Sequence, residues 1–377
     1  MLTEQQKQQL GEETVDVYDD IELEMLEATG RQLAKLETED GNILGEAIIA
    51  GAAALLVAHR GIVNSYSQSV SNAVQRDTYG ALMLNAATEL TGNEPNAASI
   101  LNDARVTAAS MAPTITQNLL RNNQTIINSA NSAYYQAAFR AASEVAQGVN
   151  AKDAIARAVS DLSRQGVTYS TYTRVVNGIP QTVHVPVDVG IRREIFTDIN
   201  DRLTQQVFDM AEQTGCNLVE VSYTTNPRES HAEWEGQVYQ LNGAGEYQNF
   251  YIACRYGDPA DGYGGYNCGH TMALYHGYRH FTDPLEGTGY TKEEAYALSQ
   301  RQRYYENEIR KDKRERDVLR ASGLPTDKVN ARLANHQRQM NSLIQQHSAV
   351  LTNQTWRTRI YAAASEEQQR VILASVT

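Results

Sequence analysis

At 377 residues and 41% hydrophobic side chains, the sequence is long enough for two or three domains with a true buried core. Its formal net charge of −12 excludes a chain dedicated to duplex nucleic acid through an overall basic face, though not a local basic patch. Three cysteines, Cys216, Cys254 and Cys268, are too few and odd in number for a disulfide framework, which points to a reducing compartment.

The first ten residues are polar and do not read as a signal peptide. Residues 1–37 predict a helix, with Val15, Tyr18, Ile21, Met25, Leu26, Leu33 and Leu36 on one stripe. Its other face is acidic, either a solvated surface or a docking face for a basic partner. Glu39-Asp40-Gly41-Asn42 ends it. Ala47 to Ala58 is apolar but only about a dozen residues, short of the ~20 that a bilayer requires, and reads as a buried Ala-rich packing face. Residues 43–93 give a second and a third helix, ending at Thr91 to Asn96.

Residues 97–165 are helical again, with Pro113 as a possible helix start and Asn118, Asn122, Asn123, Asn128 and Asn131 among small residues. Such a surface suits close helix contact or cover by other subunits. Gly148-Val149-Asn150 is the expected break, followed by a short helix from Ala151 to Arg164. Nothing in this stretch forms a catalytic constellation.

At Gly166 the texture changes. Val167 to Val176 and Thr182 to Val187 predict two strands joined at Asn177-Gly178, a type I′ turn signal, with Pro180 and Pro186 marking an exposed edge. A helix over 188–214 follows from Ile191, Ile195, Ile199, Leu203, Val207 and Met210, capped by Gly215. Leu218 to Tyr223 alternates as a strand.

The segment from Ser230 to His270 concentrates the ligand-type residues. His231, Cys254, Cys268 and His270 offer two thiolates and two imidazoles, a set that suits structural zinc. The alternative is a metal-free core in which the histidines hydrogen-bond and the cysteines are buried. A hydrolase reading would use Cys268 with His231 or His270 as nucleophile and base, or a metal held by the histidines, with Glu233 as acid or base. One residue between Cys268 and His270 rarely allows in-line geometry, and no oxyanion device surrounds them. Trp234 reads as a plug, Gly236 as a close turn beside it, and Gly262, Gly264 and Gly265 as turns rather than a phosphate loop.

An aromatic loop containing His276 and His280 leads to a helix over 291–320, opened by a Thr291/Glu294 capping box. Arg310, Lys311, Arg314 and Arg316 on it are either part of a solvent face laced with ion pairs or a basic stripe facing nucleic acid. Gly323-Leu324-Pro325 ends the helix, and further polar helix follows to Thr377. No internal repeat is present. The expected fold is α+β, mainly α, divided as a helical region 1–165, a compact loop-rich domain 166–290 with a hairpin, and C-terminal helices 291–377.

These residues carry a family resemblance. Val219 to Ser222, Arg228, Ser230-His231-Ala232-Glu233-Trp234 with Gly236, and Gly264 to His270 ending in Asn267-Cys268-Gly269-His270 resemble the minor capsid (minor head) proteins of tailed bacteriophages, of the phage minor capsid protein 2 type. These are distantly similar to MuF-like head morphogenesis proteins. Asp188 to Thr197, and Tyr290 to Lys313, resemble two further helical motifs of that family. The sequence departs from the pattern at Tyr223 to Pro227, at Glu235 where Gln is usual, and at Cys254, which has no match there. The resemblance implies a structural, non-enzymatic virion protein at the portal vertex or capsid interior, assembled in the host cytoplasm. It implies the portal protein, the major capsid protein, packaged DNA and other copies of itself as partners, and no membrane in the mature head. Some relatives carry C-terminal toxin domains, for which this sequence leaves no room.

Overall fold

The computed structural model describes residues 6–7, 9–89, 97–176, 178–243, 245–266 and 268–360. From residue 12 the described residues form the helices α1 (Glu12–Ala34), α2 (Gly45–Ser65), α3 (Ser67–Glu89), α4 (Ala97–Ala146) and α5 (Ala151–Gln165). The hairpin β1 (Thr168–Val176) and β2 (Ile179–Pro186) follows, then α6 (Val187–Thr214). The loop-rich region holds β3 (Leu218–Val221), α7 (Glu229–Ala232), β4 (Val238–Gln240), α8 (Phe250–Ala253) and β5 (Met272–Leu274). Two helices, α9 (Lys292–Ala321) and α10 (Asp327–Gln346), and a 3-10 turn at Thr355–Thr358 follow, and the helix expected to run on to Thr377 lies outside the described residues after residue 360. The protein is α+β and mainly α, as the patterning predicts.

The apolar stripe of α1 is buried from Val15 to Leu33. Its N-terminus follows Gly11 and has no local side-chain cap. Asp77 of α3 does that work across helices, accepting from Thr14 N at 2.9 Å and Thr14 Oγ1 at 2.6 Å. Helix α2 buries Ile48, Ala52, Leu55, His59 and Val63. Its opposite side exposes Ile49 and Val57. At 21 residues it is longer than the Ala47–Ala58 run, and by length and composition alone it could cross a membrane. Only one face is packed, and His59 ties that face to α1, with Nε2 3.2 Å from Thr29 Oγ1 and 3.3 Å from the Met25 carbonyl.

Helix α4 runs 50 residues straight through Pro113, so that proline does not start a helix. A proline removes one hydrogen bond. Here the buried stripe of Ala104, Ala108, Ala112, Ile115 and Leu119 continues on both sides of it. Small side chains at four-residue spacing let α4 lie close against its neighbours. The break expected at Thr91 to Asn96 lies outside the described residues. The later break is present, with Gly148 at φ 91° and the Asn150 side chain capping α5 through Lys152 N at 3.0 Å.

The hairpin pairs antiparallel from Thr168↔Pro186 to Val176↔Ile179. Gly178 supplies φ 80° at its turn, while Asn177 lies outside the described residues. Its base is buried through Val167, Tyr169, Val185 and Val187, and Tyr172, Val175 and Ile179 are exposed toward the turn. Helix α6 buries the predicted stripe and ends on Gly215 at φ 68°. It feeds β3, the centre of a three-stranded antiparallel sheet ordered β4-β3-β5.

One buried cluster runs from Leu10 and α1 through α6 and β3 to Trp234 and Cys268, and takes in Val318 and Val329. It therefore crosses both boundaries expected at 165 and 290. A smaller cluster joins Leu285 and Ala295 to Leu343, Val350 and Leu351.

Helix α9 is fastened to this core by charge. Arg314, with 9% of its side chain exposed, pairs with Glu22 of α1 at 2.8 Å and donates to the Ser163 carbonyl at 2.7 Å. Arg310, 15% exposed, pairs with Asp188 of α6 and lies 3.7 Å from Asp19 of α1. Fully buried Asp312 receives Arg164 at 2.5 Å, Arg332 at 2.7 Å and His336 at 2.7 Å. The expectation of a basic stripe facing nucleic acid is corrected for Arg310 and Arg314, whose charges point inward to carboxylates. Lys311 stays partly exposed beside Glu308, and Arg316 pairs with Asp317 at 2.7 Å.

Candidate functional site

The central segment folds as a knot around β3. Ser222, at the end of that strand, donates its N–H to the Thr271 carbonyl, and its hydroxyl accepts from Thr271 N, both at 2.9 Å. This brings the Cys268–His270 corner beside the chain leaving β3. Arg228 donates to the carbonyls of Ala260 and Tyr266, each at 2.6 Å, and so pins the glycine-rich loop from above. The single turn of α7 then points His231 inward. Gly236, at φ 68°, turns the chain into β4, and a Cβ there would lie 2.0 Å from the Tyr223 ring.

Inside the knot, Cys268 Sγ lies 3.6 Å from His270 Nδ1, and His270 Nε2 lies 3.0 Å from Glu235 Oε2. Glu235 also accepts from Thr224 N at 3.1 Å, and its other oxygen lies 2.5 Å from Lys292 Nζ. Trp234 fills the centre, its ring centroid 4.6 Å from both His231 and His270. His231, Cys268 and His270 place their potential donor atoms within 4.8 Å of one another, and all three are buried.

Burial opposes a thiolate at Cys268, but the neighbouring imidazoles of His231 and His270 outweigh it and hold the thiol well below the ordinary cysteine range. Burial likewise opposes charge on His270, yet Cys268 and Glu235 on its two sides raise its pKa. The Glu235 carboxyl is lowered despite burial, because His270 and Lys292 flank it. Cys268, His270, Glu235 and Lys292 thus form a continuous chain of acid and base groups through the knot.

Not every residue expected here belongs. Cys254 follows α8 and its thiol is pushed up to about 12, first by burial. It is buried but does not join the His231, Cys268 and His270 group, which corrects the four-ligand expectation. Glu233 lies on the surface, 67% exposed and 3.3 Å from Arg255, so it is no acid or base for this site. Asn267 lies outside the described residues.

Three participants escaped the sequence reading. Glu235 registered only as a departure from the family pattern. Lys292 occupies the first turn of α9, where a cation opposes the helix dipole, and that anomaly was the available signal. Lys7 is buried with its Nζ 5.4 Å from the Tyr263 ring centroid, and its pKa is lowered to about 8, first by burial and against the pull of Cys268 and Asp201. Nothing in a polar N-terminal stretch marked it.

As a nucleophile Cys268 is poorly placed, with 1% exposure. The neighbouring surface cavity is lined by Asp198, Asp201, Tyr256, Tyr263 and Tyr266, and not by His231, Cys268 or His270. His231, Cys268 and His270 are thus closed off from that cavity.

Comparison with known proteins agrees with the motifs. The model of the family described as phage minor capsid protein 2 matches residues 2–345. No curated protein and no solved structure matches the chain. The match spans the helical region, the knot and both C-terminal helices, and the chain belongs to the phage minor capsid protein 2 family, as a structural protein of the virion.

Proposed function

We propose that this capsid protein sits at the portal vertex, on the inner side of the shell, and acts in head assembly and in packaging and ejection of the genome. The observation that carries a structural rather than enzymatic role is the sealing of the knot. Its reactive groups, Cys268 and His270, are each 1% exposed and are spent on one another. A thiol or metal hydrolase needs that centre open to substrate.

Two of the long helices expose large apolar side chains. Ile49 and Val57 of α2, and Val106 and Phe139 of α4, are more than half exposed. We assign these faces to the portal protein, to the major capsid protein or to other copies of the chain. Chemical cross-linking of intact particles, read by mass spectrometry, tests the placement. Cross-links from α2 or α4 to the portal protein are expected. Cross-links to the major capsid protein alone, spread over the shell, would overturn the vertex position.

A further inference from the structure

We infer that His231, Cys268 and His270 form a binding site for a zinc-class divalent cation that staples the knot. The inference does not depend on where in the particle the chain sits.

The donor set comes first. One thiolate and two imidazoles select a borderline-soft cation over magnesium or calcium, which take oxygen. Among the described residues no other group of three or more His, Cys, Asp or Glu has this form.

The geometry agrees. Zinc bonds of about 2.3 Å to sulfur and about 2.0–2.1 Å to nitrogen give a tetrahedral S···N edge of about 3.5 Å. Cys268 Sγ to His270 Nδ1 is 3.6 Å. The widest donor pair, within 4.8 Å, needs to close by no more than about 1.3 Å to reach such an edge. That is a side-chain adjustment, not a backbone one.

The outer contacts are also in place. A metal-bound histidine ordinarily gives its other nitrogen to a carboxylate, which fixes the ring. His270 does this with Glu235 at 3.0 Å, leaving Nδ1 facing Cys268. Glu235 is itself held by Thr224 N and Lys292.

The last observation is an unmet need. His231 is 3% exposed, and its Nε2 is buried with no hydrogen-bond partner. A buried polar nitrogen left unpaired costs about 1–3 kcal/mol. A cation between His231, Cys268 and His270 would satisfy it. Three protein donors leave one coordination position, which suits a water. Trp234, against both imidazoles, excludes bulk solvent from the rest.

The test uses the full chain, without a histidine tag, purified in the absence of chelators. Elemental analysis should find about one zinc per chain after dialysis, as a structural site retains its metal. Cobalt(II) in its place should give the visible bands of tetrahedral coordination with a sulfur-to-metal charge-transfer band. Chelation should lower the melting temperature, and zinc should restore it. Cys254→Ser should keep the metal. Glu235→Gln should keep the fold and weaken metal affinity about 10- to 100-fold. Cys268→Ser should lose the charge-transfer band. Should Cys268→Ser fail to fold, the wild-type cobalt spectrum and Glu235→Gln decide alone. Wild-type protein that takes up neither zinc nor cobalt, and whose melting temperature ignores both, would overturn the site and leave a metal-free thiolate–imidazole pair. Equal metal loss in Cys254→Ser and Cys268→Ser would overturn the ligand assignment.

Discussion

The knot around Trp234 and the ion pairs beneath α9 both bury charge, but they are built in opposite ways. The knot is local. Its members, apart from Lys7 and Lys292, come from one loop-rich stretch, and turns such as Gly236 fold it onto itself. The charged belt is remote. Glu22 and Arg314 are 292 positions apart in sequence yet lie within hydrogen-bond distance. Local assemblies leave a signature in residue spacing. Remote ones do not, because a charge on a helix looks the same whether its partner is water or a carboxylate two hundred residues away.

The largest expected effect breaks the belt. Arg314→Leu strands buried Glu22, which also accepts from Val167 N at 2.7 Å. Stability should fall by about 3–5 kcal/mol in denaturant unfolding. Adding Glu22→Leu should recover part of that loss. A loss under about 1 kcal/mol would mean the pair behaves as a surface contact.

A buried imidazole outside both assemblies supplies the next test. Unlike His270, His59 has no charged partner, and burial lowers its pKa to about 4. The folded state therefore holds His59 neutral, while the unfolded chain protonates near the ordinary value of about 6.5. The stability it contributes is complete above about pH 6.5 and is lost as pH falls toward about 4, by about 3 kcal/mol at most. Asp16 and Asp77 work the other way. Burial raises them to about 7 and about 6, so their contribution is present in acid and is lost as pH rises through those values. Subtracting the stability profile of His59→Gln from that of the wild type isolates the His59 slope. A difference independent of pH between 4 and 6.5 would contradict this account.

Gly236→Ala sharpens the knot's side of the comparison. The new Cβ would strike Tyr223 at a positive φ, so a loss of more than about 1 kcal/mol is expected in thermal or chemical unfolding. The smallest effect belongs to Lys311→Ala. Its pair with Glu308 is partly exposed, and under about 1 kcal/mol should be lost. A larger loss would extend the buried belt to that position.

The same contrast explains what could be read from the sequence. The hairpin turning at Gly178, the stripe of α6 and the Thr291/Glu294 capping box were legible because each rests on neighbours within a few residues. His231, Trp234, Cys268 and His270 were legible as a cluster, since a short loop-rich stretch must fold back on itself. Pro113 misled because packing over a 50-residue helix outweighed one lost hydrogen bond. Arg310 and Arg314 misled because helical spacing gives a side chain's face, not what covers that face. Cys254 shares the loop but is carried by α8 away from the other three residues.

The most direct test of the central claim, that this is a structural component of the portal vertex, is its abundance in purified particles. Quantitative mass spectrometry, scaled to the portal protein, measures it. The account predicts a fixed ratio close to that of the portal and far below that of the major capsid protein. Absence from mature particles, or an abundance matching the major capsid protein, would contradict it.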